Sequence, residues 1–92
     1  MSASMDELYR DMQHFRDDLV GFNEMLKSSI HDLEGEYDQV SGLWQDEFRR
    51  MFDRQWGPFR ETMNHYVVSE GPGYVEFLSM KLQQLGRYLG NG

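Results

Sequence analysis

Apolar side chains recur through the first half of the chain at Leu8, Met12, Phe15, Leu19, Phe22, Leu26, Ile30, Leu33, Tyr37, Val40 and Trp44. The steps alternate between three and four residues, with one stutter at Leu26 to Ile30. An α-helix repeats every 3.6 residues, so this spacing lines up one side of a single long helix. The mean period is close to that of a straight helix, which predicts a nearly straight rod and not a strongly supercoiled zipper. A helix from about residue 5 to 40 is on the order of 54 Å long. A rod of that length cannot bury its stripe against itself. It needs an antiparallel neighbour of similar length. Ser4 or Asp6 suits the helix N-cap, and Glu7 stands at capping-box spacing from Ser4. Gly21 and Gly35 lie off the stripe and read as tolerated surface glycines, at about 1 kcal/mol each against alanine.

The first break is Ser41-Gly42. Gly42 suits a helix C-cap, and Asp46 suits the N-cap of the next helix, with Glu47 in its first turn. Leu43 and Trp44 are then the apolar residues of a hairpin corner, expected to pack across its end. A helix running on through Gly42 is the alternative. A second helical pattern follows over about 46–68, with Phe48, Met51/Phe52, Gln55/Trp56, Phe59, Met63 and Tyr66/Val67. Gly57-Pro58 interrupts it without breaking the phase, which predicts a kink with Pro58 in a restarted first turn. Val68-Ser69-Glu70-Gly71-Pro72-Gly73 reads as a loop. A third helix is expected over about 73–89, with Tyr74, Phe77/Leu78, Lys81/Leu82, Leu85 and Tyr88/Leu89 as its stripe, ending at Gly90-Asn91-Gly92. Two layouts are open. Helices two and three run on as one interrupted return arm, or helix three folds back into a three-helix bundle. Either way residues 1–92 form one all-α domain, a long antiparallel hairpin with a kinked second arm and a third C-terminal helix. A chain of this size often completes its bundle by dimerisation.

The chain is 39% hydrophobic and 14% aromatic, enough anchor material for a packed core. It has no cysteine, so disulfides, thiolate metal sites and thiol catalysis are excluded. The N-terminus lacks the basic start and apolar run of a secretory signal peptide. No segment approaches the roughly 20 apolar residues of a membrane span. A cytoplasmic protein, or one exported without such a signal, is therefore expected. Residues 1–46 hold eleven Asp/Glu against three Lys/Arg, and residues 47–92 hold five against six. The acidic first half disfavours nucleic acid and anionic membrane as partners. It favours antiparallel pairing of the two halves, or of two chains.

No pattern reads as catalytic. His14 and Asp18 have helical metal-pair spacing and His31 lies near Glu34, but no third ligand converges and HExxH is absent. His65 suits the end of helix two. Asp17-Asp18 and the run Asp32, Glu34, Glu36 and Asp38 read as solvated charge. Nucleophile motifs, a phosphate loop and a dinucleotide fingerprint are missing. Arg49, Arg50, Arg54 and Arg60 near Trp56 are more simply paired with the acidic helix than with phosphate. No enzyme activity, metal or cofactor is expected. Seven Met and two Trp at helical spacing fit a filled core and a binding face equally well. The candidate interface is Phe15, Leu19, Phe22 and Leu26 with Phe52, Trp56, Phe59 and Met63.

An all-helical chain of this length, without cysteine and with Trp44 at a hairpin corner, resembles the WxG-type helical-hairpin family of small type VII secretion substrates. The resemblance covers about residues 5–68. The family places Trp-any-Gly between two antiparallel helices; here the position reads Trp44-Gln45-Asp46, so the tryptophan maps and the glycine does not. A helix-capping Asp46 offers a different way to turn the same corner. The family also carries a Tyr-xxx-Asp/Glu secretion signal after the second helix, and Tyr66-Val67-Val68-Ser69-Glu70 has that spacing. The resemblance implies a four-helix bundle, as a homodimer or as a heterodimer with a similar helical protein, exported folded or serving as a targeting partner. The alternative reading is an intracellular regulatory or antitoxin-like module that covers a partner protein with its Met and aromatic face.

Overall fold

The structure, a computed structural model, describes residues 2–90. Helix α1 spans Ser2–Ser41 and α2 spans Glu47–His65. A π-helical turn, Tyr66–Glu70, follows directly, and α3 continues over Gly71–Tyr88. Among the described residues there is no strand. The molecule measures 64 × 18 × 17 Å. Helix α1, with 40 residues, is itself about 60 Å long, so the other arm must lie alongside it. The protein is an elongated antiparallel hairpin. Its second arm is α2, the π turn and α3 in continuous series, and α3 extends that arm instead of folding back.

The hairpin corner is residues 42–46. The Gly42 amide bonds the Asp38 carbonyl, and the Leu43 and Trp44 amides both bond the Val40 carbonyl at 3.0 Å. These bonds take up carbonyls that the end of α1 leaves open. Asp46 then caps α2: its backbone is extended, and its carboxylate accepts from the Arg49 amide at 3.2 Å. Glu47 occupies the first turn, where a negative charge meets the positive end of the helix. Gly42 turns the chain without a left-handed backbone; among the described residues only Gly90 adopts one, just past α3.

The structure corrects four local expectations. Helix α1 already begins at Ser2, so Ser4 and Asp6 lie inside it and do not cap it. Leu43 does not pack across the corner. It is 89% exposed, because residues 42–43 form the outermost turn and project away from both arms. The loop expected over 68–73 is helical. Its glycines and proline sit where a π turn hands over to α3: the Gly71 amide reaches back five residues to the Tyr66 carbonyl, and Pro72, in the first turn of α3, has no amide to leave unpaired there. Finally, α2 runs through Gly57-Pro58 as the one helix that the in-phase aromatic spacing predicts, but with no restarted first turn at Pro58. Pro58 removes one backbone bond, while the Thr62 hydroxyl donates to the Pro58 carbonyl at 3.0 Å. Asn91 and Gly92, part of the expected terminal break, lie outside the described residues.

Candidate functional site: an apolar face along the hairpin

The seam between the arms is narrow. On α1 it is formed by Tyr9, Met12, Arg16, Leu19, Asn23, Leu26, Ile30, Glu34 and Tyr37, which recur at three- and four-residue steps and are at least partly covered. Only Ile30 and Leu82, at 8% and 4% exposure, are buried hydrophobic residues among those described. Two glycines allow close approach. A side chain at Gly71 would meet the Asn23 amide and the Tyr66 ring at 3.0–3.1 Å, and one at Gly86 would meet the Tyr9 ring at 3.4 Å. Neither was legible as a packing glycine, since one lay in an expected loop and the other in an unremarkable helical run. Gly21 and Gly35 face open space.

Polar links cross the seam at three levels. Near the corner the Tyr37 hydroxyl donates to Asp53. Midway, Asn64 Nδ2 donates to Glu34 at 3.4 Å, and the Tyr66 hydroxyl donates to Asn23 Oδ1 at 2.8 Å. The bond to Asp53, followed by burial, holds the Tyr37 phenol above its ordinary pKa. The expected ionic pairing of the arginines with α1 is absent among the described residues. Their ion pairs, Arg16–Asp17, Arg49–Asp53 and His65–Glu70, all lie within one arm. Arg50, Arg54 and Arg60 are exposed, whereas Arg49 is partly covered beside the seam, where it pairs with Asp53 and donates to the Trp44 carbonyl at 3.3 Å.

An aromatic stack fills the corner end. Trp56 lies 5.4 Å from Tyr37, 6.1 Å from Phe52 and 5.8 Å from Phe59, and Phe52 lies 6.0 Å from Trp44. Trp44 is therefore the outer member of a stack that Trp56 and Tyr37 anchor. The Trp56 indole nitrogen is covered and has no hydrogen-bond partner among the described residues.

The eight candidate interface residues divide evenly. Leu19, Leu26, Trp56 and Met63 are half-buried in the seam. Phe15, Phe22, Phe52 and Phe59 are 58%, 50%, 43% and 52% exposed. With Leu8, Leu33 and Val40 they form the remainder of the predicted stripe, which is wider than one neighbouring helix can cover. Both arms contribute to the same side of the hairpin. Leu33, Val40, Trp44 and Phe52 line one groove there, and Phe22, Leu26, Met63 and Tyr66 line another. The opposite side carries an open groove of about 430 Å³ lined by Glu24, Lys27, His31, Glu34, Asn64 and Val67, among others. That side is more polar, so the hairpin has two unlike faces.

Tyr66 and Glu70 fall within the π turn, with the tyrosine drawn inward to Asn23 and the glutamate beside His65 at 3.5 Å. Among the described residues no group of three or more His, Asp or Glu side chains is placed to hold a metal ion, and no helix is long and apolar enough to cross a membrane. No family model, curated protein or solved structure matches the chain.

Proposed function

We propose that the protein is a non-enzymatic helical-hairpin interaction module whose working surface is the aromatic face. The observation that carries this reading is the disparity between core and surface. Among the described residues, two buried apolar residues are set against a band of exposed phenylalanines, tyrosines and aliphatic residues on one side. Water-exposed apolar bands of this extent mark association surfaces, and small chains commonly complete their core by association. The hairpin form and the tryptophan at its corner support the further proposal that the module serves type VII secretion, as a small substrate or a targeting partner. Under that proposal Tyr66 and Glu70 are read from within a helix and not from a flexible tail.

Affinity isolation from the native cell tests the reading. Recovery of a secretion ATPase or of a second small helical protein supports it. Recovery of a toxin or an enzyme instead shifts the module to regulation of that partner. Phe15→Glu and Phe59→Glu, each checked for helix content, should abolish recovery; retention in both would remove the aromatic face from the interaction.

A further inference from the structure

We propose that the trough on the side opposite the aromatic face is a second docking surface, which takes a basic amphipathic helix of a partner protein. The groove of about 430 Å³ there does not end at Val67. A second groove of about 360 Å³ continues it toward the open end of the hairpin, and the two share Glu24, Lys27 and Val67. Together they form one trough between α1 and the second arm. Its apolar lining is Ile30, Val67, Val68, Val75 and Val20. Val20 and Val68 are 41% and 77% exposed, although neither belongs to the aromatic face.

The lining selects a cation. Glu24, Glu34 and Glu76 stand along it against the ammonium of Lys27, with His31 neutral at pH 7. Glu24, Lys27 and Glu76 are exposed and make no ion pair among the described residues. Glu34 accepts from the Asn64 amide at 3.4 Å. Arg60, one turn before Asn64, is exposed and stands outside the lining. The π turn adds a further acceptor. The Gly71 amide goes to the Tyr66 carbonyl and Pro72 has no amide, so no donor four or five residues on serves the Val67 carbonyl. Val67 and Pro72 both line the trough, which places this open carbonyl at its wall. Turns of this kind recur at functional sites.

Shape selects a helix. Val20 and Ile30 lie about 15 Å apart along α1, close to three helical turns. An extended peptide pairs its backbone with a strand edge, and the described residues offer none. A helix satisfies its own backbone and packs by its side chains into the cleft between two others. Apolar residues at three- and four-residue steps then meet Ile30, Val67 and Val75 in turn, and basic residues beside them meet Glu34, Glu24 and Glu76.

The test titrates the methyl-labelled full chain with two designed helical peptides of about four turns, followed by NMR. Both carry leucine at three- and four-residue steps. One has arginine flanking each leucine, and the other has glutamate. The arginine peptide should shift the methyl signals of Val20, Val67 and Val75 and saturate in the micromolar range, and the glutamate peptide should not bind. Glu24→Lys combined with Glu76→Lys, both at exposed positions, should weaken the arginine peptide about tenfold at low salt and admit the glutamate peptide. Equal binding of the two peptides to the native chain overturns the selection for a basic partner. Shifts confined to Leu8, Leu33 and Val40, on the aromatic face, overturn the site, as does the absence of shifts at millimolar peptide. Phe15→Glu and Phe59→Glu lie on the other side and should leave the titration unchanged, so failure of the aromatic-face reading and failure of this one are separate results.

Discussion

The Tyr66 hydroxyl donates to Asn23 Oδ1 at 2.8 Å across the seam, from the first residue of the π turn. The bond explains what the π turn accomplishes. Such a turn accommodates one extra residue inside a helix. Without it, everything downstream of Tyr66 would be rotated by about 100°, and Gly71, Leu82 and Gly86 would leave the seam. Removing one residue from the turn should therefore convert it to regular α-helix and keep the phase of α3. Deletion of Val68, an exposed member of the turn, is expected to retain helix content and the cooperative thermal transition. Deletion of Arg60, in regular helix, should abolish that transition. Asn23→Ala should cost about 1 kcal/mol in chemical denaturation. Loss of folding on deleting Val68 would show that the π turn does something other than absorb a residue.

Glycines separate by what lies beyond them. At Gly71 a methyl group would press on the Asn23 amide and the Tyr66 ring at 3.0–3.1 Å, so Gly71→Ala should destabilise by about 1–2 kcal/mol despite alanine's better helix propensity. At Gly21 and Gly35 nothing stands in the way, and each change to alanine should stabilise by about 0.5–1 kcal/mol. Denaturant midpoints of the three variants check both signs. Stabilisation by Gly71→Ala would mean that the arms are less closely packed at this level.

How far the sequence carried can be judged at individual positions. The rod, the corner and the start of α2 at Asp46 were legible because each rests on local chemistry: helical period, a break, a capping carboxylate. The seam was not. Hydrophobic spacing centred the stripe on Leu8, Phe15, Phe22, Leu33 and Val40 together with Leu19, Leu26 and Ile30. The second arm covers the latter group and turns the seam toward Tyr9, Asn23 and Glu34 instead. Polar residues contribute hydrogen bonds to a seam without contributing to apolar periodicity, so they are invisible to it. The 68–73 segment failed for a related reason. Glycine and proline signal a loop locally, but here the glycine contacts Asn23 and the proline occupies a position that needs no amide. The candidate interface residues were visible as one apolar set; their division into covered and free depends on tertiary placement alone.

The Tyr37–Asp53 bond makes the corner sensitive to alkali. The hydrogen bond to a carboxylate, then burial, raises the phenol pKa above its ordinary value of 10.0, with Arg49 opposing. A group held neutral in the fold binds its proton more tightly there than in the unfolded chain. Its contribution is complete below pH ~10 and is lost as pH rises through the higher folded value. Stability measured by denaturant should fall across that window in the native sequence, and the fall should be smaller in Tyr37→Phe. An identical pH profile for the two proteins would show that this bond does not contribute.

Trp44 and Leu43 are adjacent apolar residues with opposite expected behaviour. Trp44 is half-buried and lies 6.0 Å from Phe52, at the edge of the stack that Trp56 anchors. Trp44→Ala should cost about 1–2 kcal/mol, the scale of partly covered aromatic area. Leu43 projects into solvent, and Leu43→Ala should change stability by less than about 0.5 kcal/mol. Asp46→Ala removes the carboxylate that holds the Arg49 amide and should cost about 1 kcal/mol. The three measurements together ask what holds the corner. If Asp46→Ala and Trp44→Ala both lower the unfolding midpoint while Leu43→Ala does not, the corner is held by a cap and a stacked ring. If Trp44→Ala is silent, the cap alone restarts the chain, and the tryptophan's large surface is left for a partner.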